Sequence, residues 1–277
     1  VKKVGILYHP MIETAYTLAE ELQDFLTARG ISVWLGSAWE GEKAKSQASD
    51  TDLILTIGGD GTILRAAQVA VSGQIPITGV NLGRLGFMTE LSAGEVRDKL
   101  PALLEGKGWL DERAMLEAEL IASESESPRT FYALNDVVVG RGAVARVVYV
   151  EASIDGELLT TYKADGVIVA TATGSTGYSL SAGGPILHPQ AEEFLLLPIL
   201  PHLSLAYTLV LPATAVVELR LTTAHQATLS IDGHINLPLD SGAVISVRHS
   251  SNSGRFLRIH PKAAFYRSLE QKLKGKQ

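Results

Sequence analysis

Four short apolar runs punctuate the start of the chain, at 3–8, 31–35, 53–57 and 76–80, each with the length of a buried strand. Between the first two, Ala15, Leu18, Ala19, Leu22, Phe25 and Leu26 recur with helical spacing, and Gly30 is placed to end that helix. A helix is also expected from about Thr62 to Val71. Ser92 and Glu95 have the spacing of a capping box for another that runs to about Leu104. Strand and helix alternate, which predicts a doubly wound, mostly parallel α/β sheet.

Period two takes over after about residue 112. Met115 to Ile121, Thr130 to Val139, Arg146 to Ile154 and Val216 to Leu221 read as strands. Asp155-Gly156 and Asp232-Gly233 are hairpin turn signals, both inside the tetrapeptide Ser-Ile-Asp-Gly. Ser123 to Pro128 reads as an exposed loop. Ala263 to Lys274 reads as a helix, with Phe265, Leu269 and Leu273 on one face, that returns to the first domain. The expected plan is α/β plus all-β. Residues 1–112 plus about 255–277 make the α/β domain, and about 113–254 make a mainly β domain.

Composition narrows the class. Hydrophobic residues make up 46% of 277, enough for a sizeable core. The net charge of −6 argues against a nucleic-acid surface but leaves room for a nucleotide pocket with a few local cations. There is no cysteine, so disulfides and thiolate metal sites are excluded. The histidines show no metal-ligand spacing, and no protein-held metal is expected. No apolar stretch is long enough to span a bilayer, and the first apolar run is too short for a signal peptide. A cytoplasmic protein with no membrane or nucleic-acid partner is the expectation.

Three segments carry candidate chemistry. Thr56-Ile57-Gly58-Gly59-Asp60-Gly61-Thr62 ends a buried strand and opens a helix. Its plainer reading is a tight Asp-Gly turn. Its functional reading is a phosphate cradle of backbone N–H groups with one carboxylate aimed into it and Arg65 a turn further on. It lacks the P-loop pattern. Gly140 to Ala145 matches a Rossmann-like GxGxxA but precedes a strand, so it is set aside. Asp165 to Pro185 runs from a strand into Thr173-Gly174-Ser175-Thr176-Gly177-Tyr178-Ser179-Leu180-Ser181-Ala182-Gly183-Gly184-Pro185. A flexible Gly/Ser loop fits this poorly, because Tyr178, Leu180 and Ala182 are interleaved. Its hydroxyls and amides suit ribose and phosphate, and Tyr178 suits a flat base. Asn135-Asp136 interrupts an apolar strand, either as a bulge or as a pair for ribose hydroxyls or base edges.

Taken in order, these segments resemble the NAD kinase family, together with Asn81-Leu82-Gly83-Arg84-Leu85-Gly86-Phe87 and Ile259-His260-Pro261. The match covers nearly the whole chain. The Gly-Gly-Asp-Gly-Thr turn is shared with phosphofructokinases and lipid kinases, whereas the Thr173–Pro185 run is specific. The resemblance implies Mg²⁺-dependent transfer of a phosphoryl group from ATP, or from polyphosphate, to the adenosine-ribose 2′-hydroxyl of NAD, giving NADP. On that model Asp60 is the general base. Gly59, Gly61 and Thr62 form the phosphate turn, Arg65 supports phosphates, and Phe87 closes the apolar side. Asn135 and Asp136 bind the nucleoside, and Asp165 holds the other end of the dinucleotide. Thr173, Thr176, Gly177, Tyr178, Ser179, Leu180 and Ser181 line its site. Arg146, Lys163 and His234 fall on positions of polar or cationic contact. The family places the site between its two domains and commonly forms homodimers or homotetramers.

The chain departs from the family pattern at Leu82, Ala172, Gly177 and His234, and it lacks an Arg-Pro expected near Tyr207. Two alternatives follow from the residues. A lipid kinase would share the first turn but not the Thr173–Pro185 run. A catalytically silent nucleotide-binding regulator would have no need of Asp60.

Overall fold

Buried strands joined by amphipathic helices build an open sheet in the first part of the chain. The computed structural model describes residues 1–83, 86–121, 127–142, 146–202, 207–223, 225–262, 266 and 269. The chain divides into two units, Val1–Glu112 with Gly254–Gln277, and Arg113–Ser253. The first unit runs β1 (Lys3–Tyr8), α1 (Glu13–Thr27), β2 (Ser32–Ser37), α2 (Gly41–Gln47), β3 (Leu53–Ile57), α3 (Asp60–Ala70), β4 (Ile77–Asn81), β5 (Leu91–Ser92), α4 (Val96–Leu104) and β6 (Trp109–Arg113).

The last strand of the chain, β19 (Gly254–Arg258), completes this sheet, whose order is β2-β1-β3-β4-β19-β6 with β5 against β4. The pairs β1/β2, β1/β3, β3/β4 and β4/β19 are parallel. Successive residues of a strand face opposite sides of the sheet. Val4, Ile6, Leu53, Leu55, Ile57 and Val80 therefore share one core with Ala15, Leu18 and Leu22 of α1 and Val96, Leu100 and Leu103 of α4. Gly79, next to Val80, instead meets Ile63 of α3. Helices thus cover both faces. The chain leaves β1 first toward β2 and then crosses back to β3, so the carboxyl ends of β1 and β3 form the switch point where open α/β sheets bind ligands.

Some local details differ from the sequence expectation. The short helix α2 carries a single buried side chain, Ala44, so it has little apolar periodicity to betray it. Helix α3 starts at Asp60 rather than Thr62. The capping box forms only in part: the Glu95 carboxylate accepts the Ser92 N–H, but the Ser92 hydroxyl does not cap the helix. Helix α4 starts at Val96 without a side-chain cap, and the Ser92 hydroxyl donates to the Glu95 carboxylate at 2.7 Å. The helix expected from Ala263 to Lys274 lies outside the described residues, Tyr266 and Leu269 apart, as do residues 122–126 of the expected loop and 143–145 of the GxGxxA match.

The second unit is a sandwich of antiparallel sheets. Its strands are β7 (Leu116–Ile121), β8 (Arg129–Ala133), β9 (Asp136–Arg141), β10 (Val148–Ile154), β11 (Glu157–Ala164), β12 (Gly166–Ala170), β13 (Phe194–Ile199), β14 (Leu209–Leu211), β15 (Val216–Leu221), β16 (Ala227–Ile231), β17 (Ile235–Leu239) and β18 (Val244–His249), with the short helix α5 (Tyr178–Ser181) after β12. One sheet is ordered β11-β10-β15-β18-β7-β8 and the other β14-β13-β12-β9-β16-β17. Alternate residues of both, among them Leu120, Val137, Val150, Val169, Leu196, Leu219, Leu229 and Val247, meet in one core. The opposite face of β12 and β13 is also buried, with Ile168, Ala170, Leu195 and Leu197 packed under Ala182 and Leu187. Burial on both faces explains why these two strands read as continuous apolar runs. Asp155 and Gly156, at φ 52° and 85°, turn β10 into β11. No helix among the described residues is long and apolar enough to cross a membrane.

Candidate active site

Strand β3 is buried along its length and ends at Gly58, whose φ of +152° favours glycine. Gly59 is the N-cap of α3 and supplies no side-chain cap. The Thr62 N–H donates to the Gly59 carbonyl at 3.0 Å; the Asp60 and Gly61 N–H groups and the positive end of the helix suit an anion. Asp60, half-buried, is the first helical residue. Its Oδ2 accepts the Phe87 N–H at 2.8 Å and its Oδ1 accepts the Met88 N–H at 3.0 Å. A Cβ at position 86 would collide with this carboxylate, so Gly86 permits the approach. With one N–H on each oxygen the carboxylate is fixed in direction and retains lone pairs for a further proton. Thr62 Oγ1, close to Gly58, is buried without a hydrogen-bond partner among the described residues.

Arg65 lies with its guanidinium carbon 4.2 Å from the ring centre of Trp39. That ring is 4.4 Å from the ring of His9. Burial pulls the Arg65 pKa below its usual value. His9 and Trp39 follow the carboxyl ends of β1 and β2, so both flank the switch point. Sequence reasoning passed over both, since a single aromatic or histidine after a strand is no signal by itself.

In the second unit, one carboxylate organises the Asn135-Asp136 turn. Asp232, buried at the β16–β17 turn, accepts the backbone N–H groups of Leu134 at 3.0 Å, Asn135 at 2.7 Å and Asp136 at 3.1 Å. From the other side, the Thr171 hydroxyl donates to the Leu134 carbonyl at 2.6 Å and accepts the Gly174 N–H at 3.0 Å. The Thr171 N–H donates to the Asn135 carbonyl at 2.9 Å. Gly174 approaches so closely that a Cβ there would strike the Asn135 carbonyl. A Cβ at Gly177 would lie 3.4 Å from Asn135 Nδ2 and 3.9 Å from Asp136 Oδ2. Residues 135–136 and 171–177, far apart in sequence, therefore form one wall.

On that wall Asn135 Oδ1 is buried with no hydrogen-bond partner among the described residues, which costs free energy unless a ligand supplies one; Ser179 Oγ, likewise without a partner among them, faces Gly184. Burial, and then the neighbouring Asp232, push the Asp136 carboxyl up to about 7. Tyr178 opens α5 with its side chain exposed. Thr173 is buried, with its hydroxyl 3.5 Å from Arg113 Nη1, and the Thr176 hydroxyl donates to the Thr173 carbonyl at 3.2 Å. Leu180 is half-buried and Ser181 exposed. His234 Nδ1 lies 3.2 Å from the Asp232 carbonyl.

Three further candidate residues have protein neighbours of their own. Arg146 Nη1 reaches the His225 ring at 2.7 Å, and Lys163 Nζ lies 5.9 Å from the Tyr149 ring centre. Asp165 pairs with Arg141 at 3.2 Å. Asp232 was legible only as a hairpin turn; its role in holding residues 134–136 depends on contacts across more than ninety residues of chain.

Two family models match the chain: the ATP-NAD kinase N-terminal domain over residues 37–108 and the ATP-NAD kinase C-terminal domain over residues 134–259. An NAD kinase of Dehalococcoides mccartyi is 50% identical over 274 residues, covering 99% of this chain and 96% of that protein. An NAD kinase of Chloroflexus aggregans is 40% identical over 274 residues, covering 99% of each. Among solved structures, yeast NADH kinase complexed with NADH superposes with a TM-score of 0.88 at 25% identity, covering 99% of this chain and 88% of that one. An NAD kinase from Archaeoglobus fulgidus in complex with ATP superposes with a TM-score of 0.78 at 26% identity, covering 98% of each.

Proposed function

The chain belongs to the NAD kinase family, and from that membership we propose that it transfers the γ-phosphoryl group of ATP to the adenosine-ribose 2′-hydroxyl of NAD, giving NADP. The observation that carries the mechanism is Asp60. It is a directed carboxylate beside an uncapped helix N-terminus at the carboxyl end of a parallel strand. Asp60 takes the hydroxyl proton as the oxygen attacks phosphorus, while the first-turn N–H groups of α3 offset negative charge on the phosphates. The 135–136 and 171–177 wall, with Tyr178 after it, binds the dinucleotide. Asn135 Oδ1 meets its polar atoms, Asp136 accepts from a ribose hydroxyl, and Tyr178 lies against a base.

Mg²⁺ fits this residue set as a companion of the phosphates. Mg²⁺ is commonly held by substrate phosphates with one or two carboxylates. When bound, the ion neutralises charge on the transferred group. All remaining steps fall to the chain: holding the ribose, orienting the attacking oxygen and receiving its proton.

The test is direct. The protein is incubated with NAD, Mg²⁺ and either ATP or polyphosphate, and NADP is read with a strictly NADP-dependent dehydrogenase. NADP above the blank with ATP is the expected result. No NADP with either donor would sink the proposal, and NADP with polyphosphate alone would reassign the donor.

A further inference from the structure

The loop that holds Asp60 is itself held from behind. Arg258, at the end of β19, is 5% exposed. Its Nη1 donates to the Met88 carbonyl at 2.7 Å and to Glu90 Oε2 at 3.3 Å, and its Nε donates to Asp111 Oδ2 at 3.2 Å. Glu90 Oε1 accepts the N–H groups of Ile259 at 2.8 Å and His260 at 2.7 Å, and lies 3.1 Å from His260 Nδ1. The Glu90 N–H donates to the Gly79 carbonyl at 2.8 Å. Met88 is therefore tied on both sides, its N–H to Asp60 and its carbonyl to Arg258.

An ion pair this deep is a poor way to gain stability, because desolvation of both partners consumes most of the Coulomb gain. What a planar guanidinium supplies is geometry, with several acceptors set in one fixed fork. One of those acceptors is the backbone of the residue that holds Asp60. We propose that Arg258 and Glu90 are positioning residues for phosphoryl transfer: they fix residues 86–90 so that the Phe87 and Met88 N–H groups aim the Asp60 carboxylate at the attacking hydroxyl. The inference rests on the reading of Asp60 as general base. It assigns work to two residues that touch no substrate and to a strand from the far end of the chain.

Four variants test it: Glu90→Gln, Arg258→Lys, Arg258→Met and Gly86→Ala. Gly86→Ala pushes on the carboxylate directly and leaves the ion pair intact. A displacement of about 1 Å costs on the order of a hundredfold in rate. Glu90→Gln and Gly86→Ala should each lower kcat about tenfold to a hundredfold while the KM for NAD stays within about threefold, the mark of an interaction used only in the transition state. Arg258→Lys should fall between wild type and Arg258→Met. The Glu90→Gln/Gly86→Ala double variant should lose little more than the worse single, because both act on one loop. Should Arg258→Met fail to fold, Glu90→Gln and Gly86→Ala decide the matter. Unchanged kcat in folded Glu90→Gln, a KM that rises in step with the fall in kcat, or fully additive losses would overturn the assignment. A wild type that makes NADP beside unaffected variants overturns this inference alone; a wild type that makes none overturns the function with it.

Discussion

Asp60 and Asp136 are both carboxylates at the border of a strand, and the protein treats them in opposite ways. Asp60 receives a backbone N–H on each oxygen, from Phe87 and Met88. At the 134–136 turn the three available backbone N–H groups go instead to Asp232, while burial and the charge of Asp232 push Asp136 up to about 7. Backbone donors hold one carboxylate in place, while desolvation makes the other reluctant to ionise. The lesson is that burial of an acid does not reveal its role. The donors around it say more, and in the second unit they single out Asp232 as the scaffold, which on the proposed function leaves Asp136 to meet the ligand.

The contrast can be broken at several points. Asp60→Asn should have the largest effect, lowering kcat by about 10²–10⁴-fold while NAD affinity stays within a few-fold. Steady-state kinetics beside NAD titration checks this, and retention of most activity would remove Asp60 as base. Asp232→Ala should come next. It strands two buried N–H groups and one partly buried, a loss of about 1–3 kcal/mol each at most, and should both lower the melting temperature and raise the KM for NAD. A destabilised variant with unchanged KM would reduce Asp232 to a structural role. Tyr178→Ala should raise the KM for NAD by roughly five- to tenfold, toward the low end of base stacking because the ring is exposed; an unchanged KM would place the base elsewhere.

The last test concerns Asp136 and reads stability rather than turnover. Its folded value of about 7 stands above the ordinary 3.8. Between those values the folded chain keeps a proton that the unfolded chain has released. Its contribution to stability is therefore fully present below 3.8 and declines as pH rises toward 7. Urea unfolding at pH 5 and pH 7.5 should show a shallower decline for Asp136→Asn than for the wild type. Equal declines in the two proteins would mean that Asp136 does not carry the proton.

The legible parts of the molecule are the local ones. Strands β1 and β3, helix α1 and the Asp155-Gly156 and Asp232-Gly233 hairpins follow from apolar period and turn chemistry within a few residues. The Gly58–Thr62 turn was readable for the same reason, since strand end, glycines and carboxylate are contiguous. The Ser92–Glu95 pair shows the limit of such reading. The spacing of a capping box is present and Glu95 accepts the Ser92 N–H, but the Ser92 hydroxyl turns to the same carboxylate, which His260 Nε2 also approaches at 3.1 Å, so the helix N-terminus goes without its side-chain cap.

By itself the sequence determined the alternation of strand and helix, the later change to period two, and the carboxylate at the end of β3. These depend on side-chain period and φ preference, which act over a turn or two of chain. Only the tertiary structure decided that β1 lies between β2 and β3, which makes the end of β3 a switch point. It alone decided that Asp232 orders residues 134–136, and that Arg258 reaches back 170 residues to the Met88 carbonyl. Such contacts are set by how the sheets close and which polar groups are left buried together, and a buried polar group must take whichever partner the fold brings within reach.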